Sequence, residues 1–165
     1  MNFYTAEQAI KFAFKTRERS IVSKPSFSFF VSDKFRHDDD KLTPFDFHAQ
    51  SAMIFRFIDK QTELEILWTY WTYGNKAEKK EASKLLANKV DWKRFNLERD
   101  KIYLVLLSDS VRKCAKNMSI TNYKAWKYRR KALHNLQYIE DSLTSKLWDW
   151  LERSNTTQLN QTEYN

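Results

Sequence analysis

Apolar residues recur along most of this chain at three- and four-residue intervals, the period of a helix with one buried face. Thr5 followed by Gln8 has the pattern of a capping box, opening a helix to about Arg19 with Ala9, Ile10, Ala13 and Phe14 inward. From Ser20 to Lys41 the period is lost. Pro25, the cluster Phe27, Phe29 and Phe30, and the run His37-Asp38-Asp39-Asp40 predict a long loop, with a short extended piece at Ser26–Val31. Thr43-Pro44 restarts a helix, a cap oxygen followed by a proline whose φ is preset for the first helical position. It runs to about Lys60 and offers Phe47, Ala52, Met53, Phe55 and Ile58 for burial.

Thr62 and Glu65 form a second capping box before a helix through Ile66, Leu67, Tyr70 and Trp71. Gly74 falls where a left-handed residue would end that helix. Lys76–Lys89 is amphipathic through Ala82, Leu85 and Leu86. Glu98 to Leu107 reads as a central core helix, with a strand over Tyr103–Leu107 as the competing assignment, because a short apolar run does not fix its own period. From Thr121 the helical pattern holds to about Arg153. Leu136, Leu143 and Trp150 lie seven apart and are joined by Ala132, Ile139 and Leu147. That stripe can pack on the N-terminal body or pair with a second copy as a homodimer, and packing within the chain is preferred. Ser154–Asn165 is polar and reads as a frayed tail.

Composition narrows the function. One glycine in 165 residues excludes the Gly-rich loops that cradle phosphates or dinucleotides. A single cysteine, Cys114, excludes an intrachain disulfide and a Cys-based zinc cluster. No apolar run approaches the roughly 20 residues that cross a bilayer, and no charged-then-apolar leader opens the chain. The expectation is a protein of a reducing, cytoplasmic compartment, without membrane contact.

Charge changes the picture more. The net charge is +8, from 29 basic and 21 acidic residues. Eight of the bases (Arg112, Lys113, Lys116, Lys124, Lys127, Arg129, Arg130 and Lys131) fall between Val111 and Lys131, an interval without an acid. The remaining 21 basic residues balance the 21 acidic ones, so one short segment carries the whole excess. Such a segment suits a polyanion, whose condensed counterions it releases.

The apolar positions of the same segment have helix-turn-helix spacing. Cys114, Ala115 and Met118 face inward from a first helix capped by Asp109 or Ser110, and Ser119 makes the turn. Ile120 plugs the corner, Thr121 caps the second helix, and Ala125 with Tyr128 line its inner side. A recognition helix of this kind enters the major groove with its N-terminal part. Thr121, Asn122, Tyr123, Lys124, Trp126, Lys127 and Arg130 are then the candidates for base and groove contacts: Asn for adenine, Lys and Arg for guanine, the aromatic rings for a thymine methyl or sugar. Arg112, Lys113, Lys116, Arg129 and Lys131 are the candidates for phosphate. The chain therefore reads as mainly α, with a helical scaffold over 1–107, a helix-turn-helix module with a long terminal helix over 108–153, and a polar tail over 154–165.

The stretch Ser110-Val-Arg-Lys-Cys-Ala-Lys-Asn-Met-Ser-Ile-Thr-Asn-Tyr-Lys-Ala-Trp-Lys-Tyr-Arg-Arg130 resembles the helix-turn-helix segments of phage and bacterial transcription regulators, where Arg-rich second helices with a Trp recur. It departs from them at Ser119, a turn position that usually favours glycine, and in the bulk of Tyr128. Upstream, Thr5-Ala-Glu-Gln-Ala-Ile-Lys11 and Leu42-Thr-Pro-Phe-Asp-Phe-His-Ala-Gln-Ser-Ala-Met53 resemble the body of small prophage-encoded proteins, some similar to Q-type late-gene antiterminators. The resemblance implies a phage regulator acting at duplex DNA, with host RNA polymerase as a partner.

Other motifs carry less. His37–Asp40 lacks calcium-loop spacing and reads as a solvated acidic loop. Asp46 and His48, two apart on a helix, point to different sides. Cys114 is a small core residue rather than a nucleophile, and His134 covers the long helix. Trp68, Tyr70, Trp71, Tyr73 and Trp92 read as core packing, since no comparable cation density surrounds them. No catalytic set, metal site or cofactor site assembles, and the expectation is a non-enzyme. The alternative function is a phage-encoded inhibitor or adaptor whose basic and aromatic surface binds a host nucleic-acid enzyme, RNA polymerase or a defence nuclease. A small structural or RNA-binding phage protein is a third.

Overall fold

The structure, a computed structural model of the chain, describes residues 3–18, 44–92 and 98–162. It is mainly α, seven helices and no strand among the described residues. The long loop with its extended piece, the acidic run and the Thr43 cap lie outside these residues. The fold divides into two compact units, Met1–Phe57 and Ile58–Asn165. The division expected after residue 107 is not where the contacts part: the helices before and after that point share the second unit.

The first unit holds α1 (Ala6–Arg17) and α2 (Pro44–Ile58) up to Phe57, the last residue of α2 being the first of the second unit. Thr5 Oγ1 accepts the Gln8 amide at 3.2 Å, but Gln8 Oε1 accepts from Tyr4 N–H rather than from Thr5, so the reciprocal bond closes one residue early. Ala9, Ile10, Ala13 and Phe14 are buried, as their spacing predicts. On α2 the buried positions are Ser51, Ile54 and Ile58, while Met53 is 47% exposed and Ala52 lies outside too. Hydropathy pointed to Met53 and Ala52. Geometry chose the face that carries Ser51 and Ile54, three residues apart, and steps of about 100° per residue turn Ala52 and Met53 away from it. Ser51 Oγ donates to the Ala13 carbonyl at 3.0 Å, and Phe14 meets Phe55 edge-on at 5.0 Å.

The second unit holds α3 (Glu63–Tyr73), α4 (Lys76–Lys89), α5 (Arg99–Leu107), α6 (Val111–Met118) and α7 (Asn122–Thr162). The Thr62–Glu65 capping box is complete, with Thr62 N–H donating to Glu65 Oε2 at 3.0 Å. Gly74 does not take the left-handed conformation expected of it: its φ is −65°. Glycine is required there for space, because a Cβ would collide with the Tyr70 carbonyl and lie 2.9 Å from the Glu78 side chain. A further capping box, Asn75 with Glu78, opens α4. The Tyr103–Leu107 run is helix, part of α5, which is buried through Ile102, Val105 and Leu106. Trp68 and Trp92 are core residues, and the Trp71 and Trp92 indoles donate to the carbonyls of Leu106 and Leu86 at 2.9 and 3.2 Å.

Helix α7 packs against α3, α5 and α6. The stripe Ala132, Leu136, Ile139, Leu143 and Leu147 is thereby buried within the chain, and Trp150 is half-buried. A homodimer built on this stripe has no exposed face to use. The helix also continues in its backbone to Thr162, past the point where a tail was expected. Glu65, on α3, is buried and accepts from Ser142 Oγ and Lys146 Nζ of α7, each at 2.7 Å. Burial pushes its carboxyl upward. The bonds from Lys146, Thr62 and Ser142 together outweigh that and lower it to about 2. No described helix is long and apolar enough to cross a membrane.

Candidate nucleic-acid interface

Helices α6 and α7 meet at a three-residue corner, Ser119 to Thr121. Ser119 has φ 53° and ψ 42°, the left-handed conformation that glycine would adopt without cost. Its N–H donates to the Lys116 carbonyl at 3.3 Å, and that of Ile120 to the Ala115 carbonyl at 3.0 Å. These two bonds are a Schellman closure, which satisfies the last carbonyls of α6 and turns the chain sharply. Ser110 caps α6 by accepting from Lys113 N–H at 3.2 Å. Thr121 caps α7, with Oγ1 accepting from Lys124 N–H at 3.4 Å.

The expected interior of the corner is only partly sealed. Cys114, Ala115 and Ala125 are buried, while Met118, Ile120 and Tyr128 are half-buried. Cys114 Sγ lies 3.4 Å from Met118 Sδ. Burial pushes its thiol above the usual range, with the Arg129 charge opposing, as befits an inert core residue. Tyr128 is accommodated because its ring reaches α5, where Lys101 Nζ stands 5.9 Å from its centroid. Helix α5 packs on both α6 and α7, so three helices form the unit that presents the surface.

The structure separates the sequence candidates by exposure. Thr121 at the cap and Asn122, Tyr123, Lys124, Trp126, Lys127 and Arg130 on the first turns of α7 are all exposed. Tyr123 and Trp126 stack at 6.3 Å between ring centroids. Lys127 Nζ sits 4.8 Å from the Tyr123 ring and the Arg130 guanidinium 5.3 Å from that of Trp126. The two aromatic rings thus hold two cations in place at little electrostatic cost. Arg112, Lys116, Lys124 and Lys131 are exposed and have no acidic partner among the described residues. Lys113 pairs with Asp109 at 3.2 Å.

Arg129, expected as a phosphate contact, does not stand free on the surface as Arg112 and Lys116 do. It is half-buried, and its guanidinium donates to the Ser108 carbonyl. Ser108, absent from the sequence candidates, is the hub of the unit: its hydroxyl donates to the Leu104 carbonyl at 2.6 Å and accepts from Asn117 Nδ2 at 3.2 Å. One buried serine therefore ties α5, α6 and α7 together. No spacing rule marks such a residue, because its partners lie on three helices. Among the described residues no cluster of His, Cys, Asp or Glu could hold a metal. Set against family models, curated proteins and solved structures, the chain has no match.

Proposed function

We propose that the α6–α7 surface engages duplex DNA and that the protein is a phage-type transcription regulator. Antitermination with host RNA polymerase is the activity favoured by the resemblance of Thr5–Lys11 and Leu42–Met53 to small prophage-encoded proteins. One observation carries the reading. The eight bases of the Val111–Lys131 interval meet no acid within it, and Arg112, Lys116, Lys124 and Lys131 remain exposed and unpaired on the folded surface. A sharp corner capped on both sides, with α5 behind it, supports reading the pair as a helix-turn-helix. In that arrangement the first turns of α7 enter the major groove, where Asn122 reads adenine and Lys124, Lys127 and Arg130 read guanine edges. Arg112 and Lys116 grip phosphate from α6.

The test is the salt dependence of duplex binding. Arg112→Gln combined with Lys116→Gln should lower the slope of log K against log salt by about two, at unchanged preference among sequences. An unchanged slope, or a wild-type protein that binds no duplex at low salt, overturns the reading. The exposed Tyr123–Trp126 pair favours a second reading, docking on a host nucleic-acid enzyme through an aromatic anchor. Retention of RNA polymerase that is abolished by Trp126→Ala, without selective DNA binding, would establish it.

A further inference from the structure

Folding brings together charges that the sequence keeps apart. A cleft of about 800 Å³ opens between the α3–α4 joint and the α5–α6 joint, with Trp71 and Leu106 in its lining. Lys76, Lys79 and Lys80 from the start of α4 line it, together with Lys113 of α6 and Arg129 of α7. The 32 positions between Lys80 and Lys113 hide this cluster in the sequence, where α4, with five lysines and two glutamates, reads only as an amphipathic helix.

One carboxylate, Asp109, lines the cleft against these five cations. Its hydrogen bond and ion pair with Lys113 hold it below the usual carboxylate range, and the charges of Lys79 and Arg129 act in the same direction. Fields from α4, α6 and α7 thus converge on one place. Glu78, the acid nearest in sequence to the three lysines, is turned to the capping box, where its Oε2 accepts from Asn75 N–H at 2.8 Å. No ion pair joins Lys76, Lys79 or Lys80 to an acid among the described residues. Two helices also begin here, α4 and α6, and the positive ends of their dipoles add to the field. Like charges gathered in one cleft repel each other and are relieved by an anion.

We infer that this cleft is a second phosphate-binding site, which takes the backbone of the same DNA duplex after it leaves the α6–α7 surface. The inference rests on the DNA-binding reading and extends it from one helix pair to α4. A continuous backbone is the occupant favoured by position, because Lys113 belongs both to the cleft and to the basic segment, with Arg112 and Lys116 on the same short helix. The cleft then contributes affinity and salt dependence without base readout, since phosphate contacts orient a protein but carry no sequence.

Lys76→Gln with Lys80→Gln tests this in the full-length protein, with Arg112→Gln and Lys116→Gln as the comparison pair. Duplex binding is measured by fluorescence anisotropy over a salt series, and helicity and melting confirm that each variant is folded. The expected result is a slope reduced by about two in each pair and by about four in the quadruple variant, with the ranking of sequences unchanged. If the comparison pair lowers the slope and the cleft pair does not, the inference fails while the DNA-binding reading stands. If the wild-type protein binds no duplex, both fall. A cleft pair that loses binding of inorganic pyrophosphate but keeps wild-type duplex binding would make the cleft a small-anion site and overturn the inference.

Discussion

The two parts of α7 are one continuous helix built on opposite rules. From Ala132 to Leu147 the inward positions Ala132, Asn135, Leu136, Ile139, Leu143 and Leu147 are buried, and the charge of Lys146 is matched by Glu65 of α3. From Asn122 to Lys131 Ala125 alone is buried, five cations are present, and no acid stands among them. Packing dictates the first set. Nothing in the folding of the unit requires the second, apart from Arg129, which ties α7 to Ser108. A stretch whose composition the fold does not explain is where a partner leaves its mark, and a row of unmatched cations marks a polyanion.

Mutations should separate the two parts, and the largest effect belongs to the packed one. Leu143→Ala removes a fully buried side chain and should cost about 2–5 kcal/mol in denaturant unfolding. Next comes acid. The Glu65 carboxyl lies at about 2 in the folded protein against 4.5 for the ordinary group. Its contribution is complete above about pH 4.5 and is lost as the pH falls from there towards 2. That contribution is on the order of 2–3 kcal/mol. Glu65→Gln should therefore be less stable than wild type at pH 7, and the gap should close on acidification. A gap independent of pH would show that Glu65 contributes by shape rather than charge.

The corner between the two basic helices gives a smaller effect of opposite sign. Ser119→Gly relieves the positive φ and should raise stability by up to about 1 kcal/mol, read as an increase in Tm. The smallest effect is expected on the exposed surface itself. Lys124→Gln with Lys127→Gln should change unfolding free energy by less than about 0.5 kcal/mol while weakening DNA binding. A large loss of stability from that pair would mean that the row of cations is structural after all.

Much of this architecture was legible in the chain. Local chemistry announced itself: Thr5, Thr62, Ser110 and Thr121 cap the helices that their hydroxyls suggested, and α7's Leu136–Leu143–Leu147 stripe is buried. Where space decided, the sequence misled. Gly74 suggested a left-handed turn, but its role is to let Tyr70 and Glu78 approach, whereas the left-handed residue is Ser119. Met53 is more apolar than Ser51, yet Ser51 finds a carbonyl on α1 and takes the inner face. The candidate surface was legible in one dimension, since the eight bases fall within one interval of 21 residues that has no acid. Arg129's tie to Ser108 and the convergence of Lys76, Lys79 and Lys80 on Lys113 are tertiary facts, set by how α4 to α7 pack.

The central claim is that the α6–α7 surface, with its unmatched cations, recognises a duplex DNA site selectively. The most direct test titrates the purified protein with labelled duplex fragments tiling its own gene neighbourhood, against random duplex, at a low and a higher salt concentration. The account predicts binding to all fragments at low salt and one fragment retained clearly at the higher salt. Binding that is equal for every fragment and erased by salt, or no binding at low salt, would contradict it.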